Sequence, residues 1–257
     1  MTDTHNIISG KITLHRKEAD FNLGYGLISL SLPALLQREH LLHTRERAYA
    51  GQLQHATRKQ GYLLGRIAAK TALSQLTPQL PASILIDRGV FEFPVVSFLQ
   101  QESIQVSISH CNDVGLALAF PEKHPAGIDI EFIDEEKASS IESLLTPHET
   151  TTLLPRFGLP VATGYTLLWT IKEAMSKIFR TGMMMEFSIY EVESLQPSGQ
   201  IWESTFTNCK QYKGISIVYP RYIISIVIPA RSELAVQQPD IAAMLQQYAR
   251  FFQDKND

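Results

Sequence analysis

The chain has 257 residues, 44% of them hydrophobic, enough for one large domain or two small ones with a full core. A formal charge of −3 and a pI near 6.2 give no overall pull toward nucleic acid or an anionic membrane, so neither is an expected partner. Cys111 and Cys209 lie far apart with no C-x-x-C or Cys/His cluster, which argues against a disulfide framework and a zinc site.

The residues at the N-terminus lack a basic region followed by an apolar run, and no stretch approaches ~18 consecutive apolar residues, so the expected location is the cytoplasm. Residues 7–15 and 26–32 alternate weakly and read as strands, and Pro33 opens a short helical segment. From Thr44, a reasonable N-cap, the chain runs to Leu76 without a proline, which predicts one long helical stretch ended by Pro78 and Pro81. Within it Leu63, Leu64, Ile67, Ala68, Thr71 and Ala72 recur at helical spacing and predict a buried face, with Arg66 and Lys70 on another. A strand over 83–87 and a turn at Gly89 follow. Ile104, Val106 and Ile108 alternate with polar neighbours and Gly115 to Phe120 is apolar, so His110-Cys111-Asn112-Asp113 reads as a hairpin turn.

A second half begins near Pro121, giving predicted halves 1–122 and 123–257 without recognisable sequence repetition. Its elements are a strand over 126–133, helices near 139–154 and 163–180, strands over 186–193, 201–207, 214–219 and 222–228, and a closing helix from Pro239 to Asp254. In the first strand Ile128, Ile130 and Phe132 alternate with Asp129 and Glu131, so the two-residue period sends both acids to one face. On helix 163–180 the set Leu167, Leu168, Ile171, Ala174, Met175 and Ile178 forms an apolar stripe. Trp169, Lys172, Glu173, Ser176 and Lys177 stand off it, on the exposed or cleft-facing side. An isolated D-x-E is usually two solvated acids, and Glu173 with Lys177 alone would be a helix-surface ion pair worth ~0.2–0.5 kcal/mol. Three carboxylates converging on one point repel each other unless a cation lies between them, and an all-oxygen set suits Mg²⁺. Two lysines beside that cation point to a polyanionic substrate.

These segments carry a family resemblance. Ala126-Gly127-Ile128-Asp129-Ile130-Glu131 and, about forty residues on, Trp169-Thr170-Ile171-Lys172-Glu173-Ala174-Met175-Ser176-Lys177 resemble the (V/I)-G-(V/I)-D-(V/I)-E and (W/F)-(S/T)-x-K-E-(A/S)-x-x-K signature of 4′-phosphopantetheinyl transferases of the surfactin-synthetase-activating type. Ser107-Ile108-Ser109-His110 resembles the family's N-(I/L)-S-H element, with serine in place of asparagine, and Leu64-Gly65-Arg66 resembles its Gly-Arg helix. The resemblance implies an α+β fold of two similar α/β halves about an approximate two-fold axis, with coenzyme A bound between them. It implies an enzyme, a holo-[acyl-carrier-protein] synthase, that moves the phosphopantetheine arm of coenzyme A to a serine of an apo carrier protein of fatty acid, polyketide or nonribosomal peptide synthesis. By the same resemblance Asp129, Glu131 and Glu173 are the Mg²⁺ ligands, and Glu173 is the base. Lys172 and Lys177 neutralise the pyrophosphate, and Arg47, Arg66, Ser109 and His110 contact the nucleotide phosphate.

The chain departs from the family in two places. The family's Gly-Lys-Pro lysine is absent, Arg88-Gly89 standing there, and of its G-x-G-(L/M) element Arg180-Thr181-Gly182-Met183 keeps the second glycine alone. A monomer is expected. Two other readings stay open from the residues: a non-catalytic coenzyme- or carrier-binding protein, and a Mg²⁺-dependent phosphohydrolase that needs no carrier.

Overall fold

Short alternating runs joined by tight turns build antiparallel ladders, and amphipathic helices cover the apolar faces that those ladders leave open. A computed structural model describes residues 6–97, 103–233, 247–248 and 251–252. By its internal contacts the chain divides into two units, Met1–Pro125 with Ser232–Asp257, and Ala126–Arg231. The predicted closing helix lies outside the described residues except at 247–248 and 251–252, which are helical.

In the first unit β1 (Ile7–Leu14) and β2 (Phe21–Ser29) form a hairpin with Ile7 opposite Ile28. α1 (Leu32–Leu36) carries Pro33 in its first turn, where a missing N–H is harmless. The stretch predicted as one helix from Thr44 is two, α2 (Thr44–Gln52) and α3 (Ala56–Leu73), and the residue that caps α2 is His43. Its imidazole accepts from Arg45 N while the Glu46 carboxylate accepts from His43 N, a reciprocal capping box. β3 (Leu85–Arg88) and β4 (Pro94–Ser97) pair with each other, and β5 (Ile104–Cys111) and β6 (Val114–Pro121) complete a four-stranded sheet in the order β1-β2-β6-β5. The β5–β6 turn is Asn112-Asp113, with Asn112 in the left-handed region at φ 53°, so His110 lies on the strand and not in the turn. α3 packs Leu64, Ile67, Ala68 and Ala72 against Ile28, Ala117 and Ala119. Contrary to the helical-wheel reading, Arg66 and Lys70 are buried as well.

The second unit begins with β7 (Gly127–Phe132), followed by α4 (Ala138–Glu142), a π-helical turn over His148–Leu153, and α5 (Val161–Phe179). β8 (Val192–Ser198), β9 (Ile201–Phe206), β10 (Tyr212–Val218) and β11 (Tyr222–Pro229) then close a five-stranded antiparallel sheet ordered β7-β11-β10-β9-β8. The strand predicted from 186 starts at Val192, because Phe187–Tyr190 first makes a 3₁₀ turn that buries Phe187 and Tyr190. Leu167, Leu168, Ile171, Ala174 and Met175 of α5 pack on Phe206, Ile223 and Val227. From β2 and from β7 the same sequence of parts runs through both units: a strand, a long helix, and two hairpins, with β2 next to β6 and β7 next to β11. The fold is α+β.

Candidate functional site

Gly127 decides which face of β7 meets α5. A Cβ at this position would come within 1.9 Å of the Ala174 carbonyl oxygen, so strand and helix touch here backbone to backbone. With a two-residue period, Asp129 and Glu131 face α5 too. Asp129 is buried, and its Oδ1 accepts from Lys177 Nζ at 2.7 Å, the same ammonium donating to Ile128 O at 2.9 Å. Two residues along the strand, Glu131 Oε1 accepts from Trp169 Nε1 at 3.2 Å. Trp169 is fixed in turn by stacking on Phe187, with ring centroids 4.9 Å apart. Glu173 lies one turn from each of these helix residues, between them.

The three carboxyls feel one another. Burial, then the charges of Asp129 and Glu131, push Glu173 from 4.5 up to about 7, with Lys177 opposing. Burial and Asp129 raise Glu131 as well, against the Trp169 hydrogen bond and the charges of Lys137 and Lys177. Among the described residues no group of three or more His, Cys, Asp or Glu side chains is arranged to hold a metal ion, Asp129 and Glu131 being engaged by Lys177 and Trp169. The chemistry of the donor set nonetheless fits a hard divalent cation: three carboxylates share one field, and one ammonium contacts Asp129.

Lys172 is placed differently from the expectation. It is fully buried, its ammonium 2.6 Å from the equally buried Glu149 and donating to Phe187 O at 3.1 Å. The helix face predicted to be open is therefore divided: Lys172 and Ser176 are buried in the protein, while Trp169, Glu173 and Lys177 are half-buried. A buried ammonium needs a buried carboxylate, and Glu149 lies too far away in sequence to reveal itself as the partner.

In the first unit, Ser109 is buried and His110 is exposed on β5, its ring over Gly61 of α3, where a Cβ would come within 3.0 Å of it. Arg66 is turned inward, 9% exposed, with Nε 3.7 Å from Glu46 and its guanidinium over the Tyr62 ring at 5.0 Å. Arg47 is exposed, and its guanidinium donates to Leu42 O and Thr44 Oγ1 at the start of α2. Arg88 lies 3.8 Å over the Tyr49 ring and pairs with Glu92 at 2.9 Å.

Residues 125–227 match the family model described as the 4′-phosphopantetheinyl transferase superfamily. That stretch belongs to the superfamily. It is 31% identical over 151 residues to enterobactin synthase component D of Escherichia coli O157:H7, a match that covers 56% of this chain and 66% of that protein. It is 28% identical to the 4′-phosphopantetheinyl transferase gsp of Aneurinibacillus migulanus, over 55% of this chain and 57% of that one. The chain thus spans under two thirds of the length of these curated relatives. A holo-(acyl-carrier-protein) synthase from Bacillus anthracis, solved in complex with CoA, is similar at 21% identity and a TM-score of 0.35, over 42% of this chain and 96% of that one. The matched stretch contains Asp129, Glu131, Trp169, Glu173 and Lys177, whereas Arg47, Arg66, Ser109 and His110 precede it.

Sequence reasoning missed Trp169 as the partner that orients Glu131, and missed Glu149 and Glu46 entirely. Glu149 carried a signal. Thr146-Pro147-His148-Glu149 has the spacing of a capping box, and its reciprocal bonds, Thr146 N to Glu149 Oε2 and Glu149 N to Thr146 Oγ1, are present.

Proposed function

We propose that the chain is a 4′-phosphopantetheinyl transferase of the surfactin-synthetase-activating type, which moves the phosphopantetheine arm of coenzyme A to a serine of an apo carrier protein and releases 3′,5′-ADP. The observation that carries this reading is the gathering of Asp129, Glu131, Glu173 and Lys177 on facing sides of β7 and α5, inside the stretch that matches the superfamily. Mg²⁺ would be held by Asp129, Glu131 and Glu173, and when bound it supplies charge neutralisation for the pyrophosphate. The carrier serine oxygen attacks the β-phosphorus, the bond to the bridging oxygen breaks, and the pair of electrons leaves with 3′,5′-ADP. Glu173 takes the serine proton; in the metal-free chain burial and the charges of Asp129 and Glu131 raise it to about 7. Lys177 supplies a fixed positive charge beside the acids, and Trp169 holds the Glu131 carboxylate in direction. On the first unit, Ser109, His110 and Arg47 are the groups proposed for the nucleotide phosphate.

Intact-mass analysis of a panel of apo carriers from fatty-acid, polyketide and nonribosomal-peptide systems, incubated with the protein, coenzyme A and Mg²⁺, tests this directly. At least one carrier should gain the arm while 3′,5′-ADP accumulates. Release of 3′,5′-ADP without a carrier would point to hydrolysis, and no gain on any carrier would overturn the reading.

A further inference from the structure

Lys172 has a counterpart in the other unit, down to its partners. Lys70 of α3 is fully buried, 2.9 Å from the buried Glu46, and donates to main-chain carbonyls at Pro81 and Ile84. Glu46 accepts from His43 N at 2.7 Å and from Ile86 N of β3 at 3.2 Å. Lys172 of α5 meets Glu149, and Glu149 accepts from Thr146 N and from Val192 N, the first residue of β8, both at 2.8 Å. In each unit a capping-box glutamate therefore ties together its own N-cap backbone, an ammonium of the long helix, and the strand that follows that helix. Twenty-four residues separate Glu46 from Lys70 and twenty-three separate Glu149 from Lys172. The alanine two residues past each lysine carries the carbonyl that abuts a glycine of the preceding strand, Ala72 against Gly24 and Ala174 against Gly127.

This correspondence puts Gly26, Ile28 and Thr71 where the second unit has Asp129, Glu131 and Glu173. The first unit thus keeps the lysine and glutamate without the acid cluster, so the pair has a use that is independent of phosphate. We propose that Lys172 and Glu149 are a positioning pair that fixes the register of α5, and with it the direction of Glu173 and Lys177, and that Lys172 does not touch substrate. The proposal rests on the transferase reading for its link to turnover, but not for the pairing itself.

The test uses K172M, E149Q and the double variant in the full chain, with K70M, E46Q and their double as the control from the other unit. Folding constants from urea denaturation, the Kd for coenzyme A by calorimetry, and kcat and KM for a carrier are measured. K172M alone should lower the folding constant by about 100-fold or more, because it strands a buried carboxylate, and K172M/E149Q should regain about tenfold or more. The double should keep its Kd for coenzyme A within about threefold while kcat falls about tenfold, whereas K70M/E46Q, with a similar loss of stability, should keep its kcat. A Kd weakened about tenfold in the refolded double would mean that Lys172 contacts the coenzyme, and would overturn the proposal. Equal losses of kcat in the two doubles would reduce the pair to general stability and overturn the positioning role. A wild-type chain that neither binds coenzyme A nor modifies a carrier would defeat the functional reading instead. The pairing is then judged by denaturation alone, where coupling below about threefold at either pair would refute it.

Discussion

Replacing Glu173 with glutamine should make the metal-free protein more stable at alkaline pH. In the folded chain burial and the charges of Asp129 and Glu131 raise this carboxyl from 4.5 to about 7. Between those values the folded state binds more proton than the unfolded state, so Glu173 contributes full stability below the lower value and loses it as pH rises through the upper one. At about 1.4 kcal/mol for each pH unit the interval corresponds to roughly 3 kcal/mol. Partial solvent access lets the carboxylate turn toward water and trims the expected difference to about 2 kcal/mol. Glutamine keeps the shape and has no such titration. Urea denaturation in the presence of a chelator, run from about pH 5 to about pH 8.5, should show wild type and E173Q converging at the acid end. At the alkaline end the variant should be the more stable by about 2 kcal/mol. Added Mg²⁺ should then raise wild-type stability at pH 8 and leave E173Q nearly unchanged, because a ligand stabilises only the state that binds it. Parallel pH curves for the two proteins would show that the three carboxyls do not share a field, and the argument for a cation between them would go with it.

Other substitutions probe neighbouring parts of the same site. E173A and D129N should each abolish transfer to a carrier in the presence of Mg²⁺, read by intact mass, and most of the turnover surviving in either would refute its role. K177M removes the charge that opposes the upward shift of Glu173, so in the metal-free protein the stability lost on ionising Glu173 should be lost at higher pH, read by urea denaturation with a chelator. W169F keeps a ring to stack on Phe187 but loses the hydrogen bond to Glu131, which should lower kcat with a stability loss of about 1 kcal/mol by thermal melting. R180G should stabilise the chain by about 1 kcal/mol, since Arg180 ends α5 in the left-handed region at φ 57°, where glycine carries no Cβ penalty.

The acidic strand and the Glu/Lys helix were legible because the two-residue and 3.6-residue periods fix which side chains share a face, and both acids do turn toward α5. What the periods could not supply was depth. Lys172 reads as polar and therefore outward, yet a lysine can be buried wherever a distant carboxylate meets it, and Glu149 is contributed by a different element. The same limit explains the single helix predicted from Thr44. No proline interrupts it, but a continuous helix would put Glu46 and Lys70 about 36 Å apart at 1.5 Å per residue. The bend over Leu53–His55, with extended backbone at Leu53 and His55, folds α2 back so that the two charges meet at 2.9 Å. A buried ion pair set the break between the helices. It left no local mark.

The two units also show why only one of them carries an acid site. At Gly26 the first unit has its strand against α3 so closely that a Cβ would come within 2.5 Å of the Ala68 carbonyl, and Ile28 and Ile67 complete the contact as core. No carboxylate fits there. In the second unit Gly127 meets the Ala174 carbonyl, and the equivalent of Gly26 is Asp129, whose carboxylate pairs with the ammonium of Lys177. Trp169 takes the place of Ile67 and gives Glu131 a donor in place of an apolar neighbour. The shared architecture, two buried Glu–Lys pairs and a glycine pinned under each helix, holds strand and helix at a set distance. The residues two and four places beyond the pinning glycine then decide whether the interval is packed as core or kept polar. On this argument G127A should damage the site without touching an acid. Its Cβ would collide with the Ala174 backbone, which cannot rotate away, so α5 must shift relative to β7. A loss of at least about 2 kcal/mol in urea denaturation is expected, together with a drop in transfer and with weaker stabilisation by Mg²⁺ at pH 8. A G127A protein with wild-type stability and turnover would show that the close approach of strand and helix does not set the geometry of the acids.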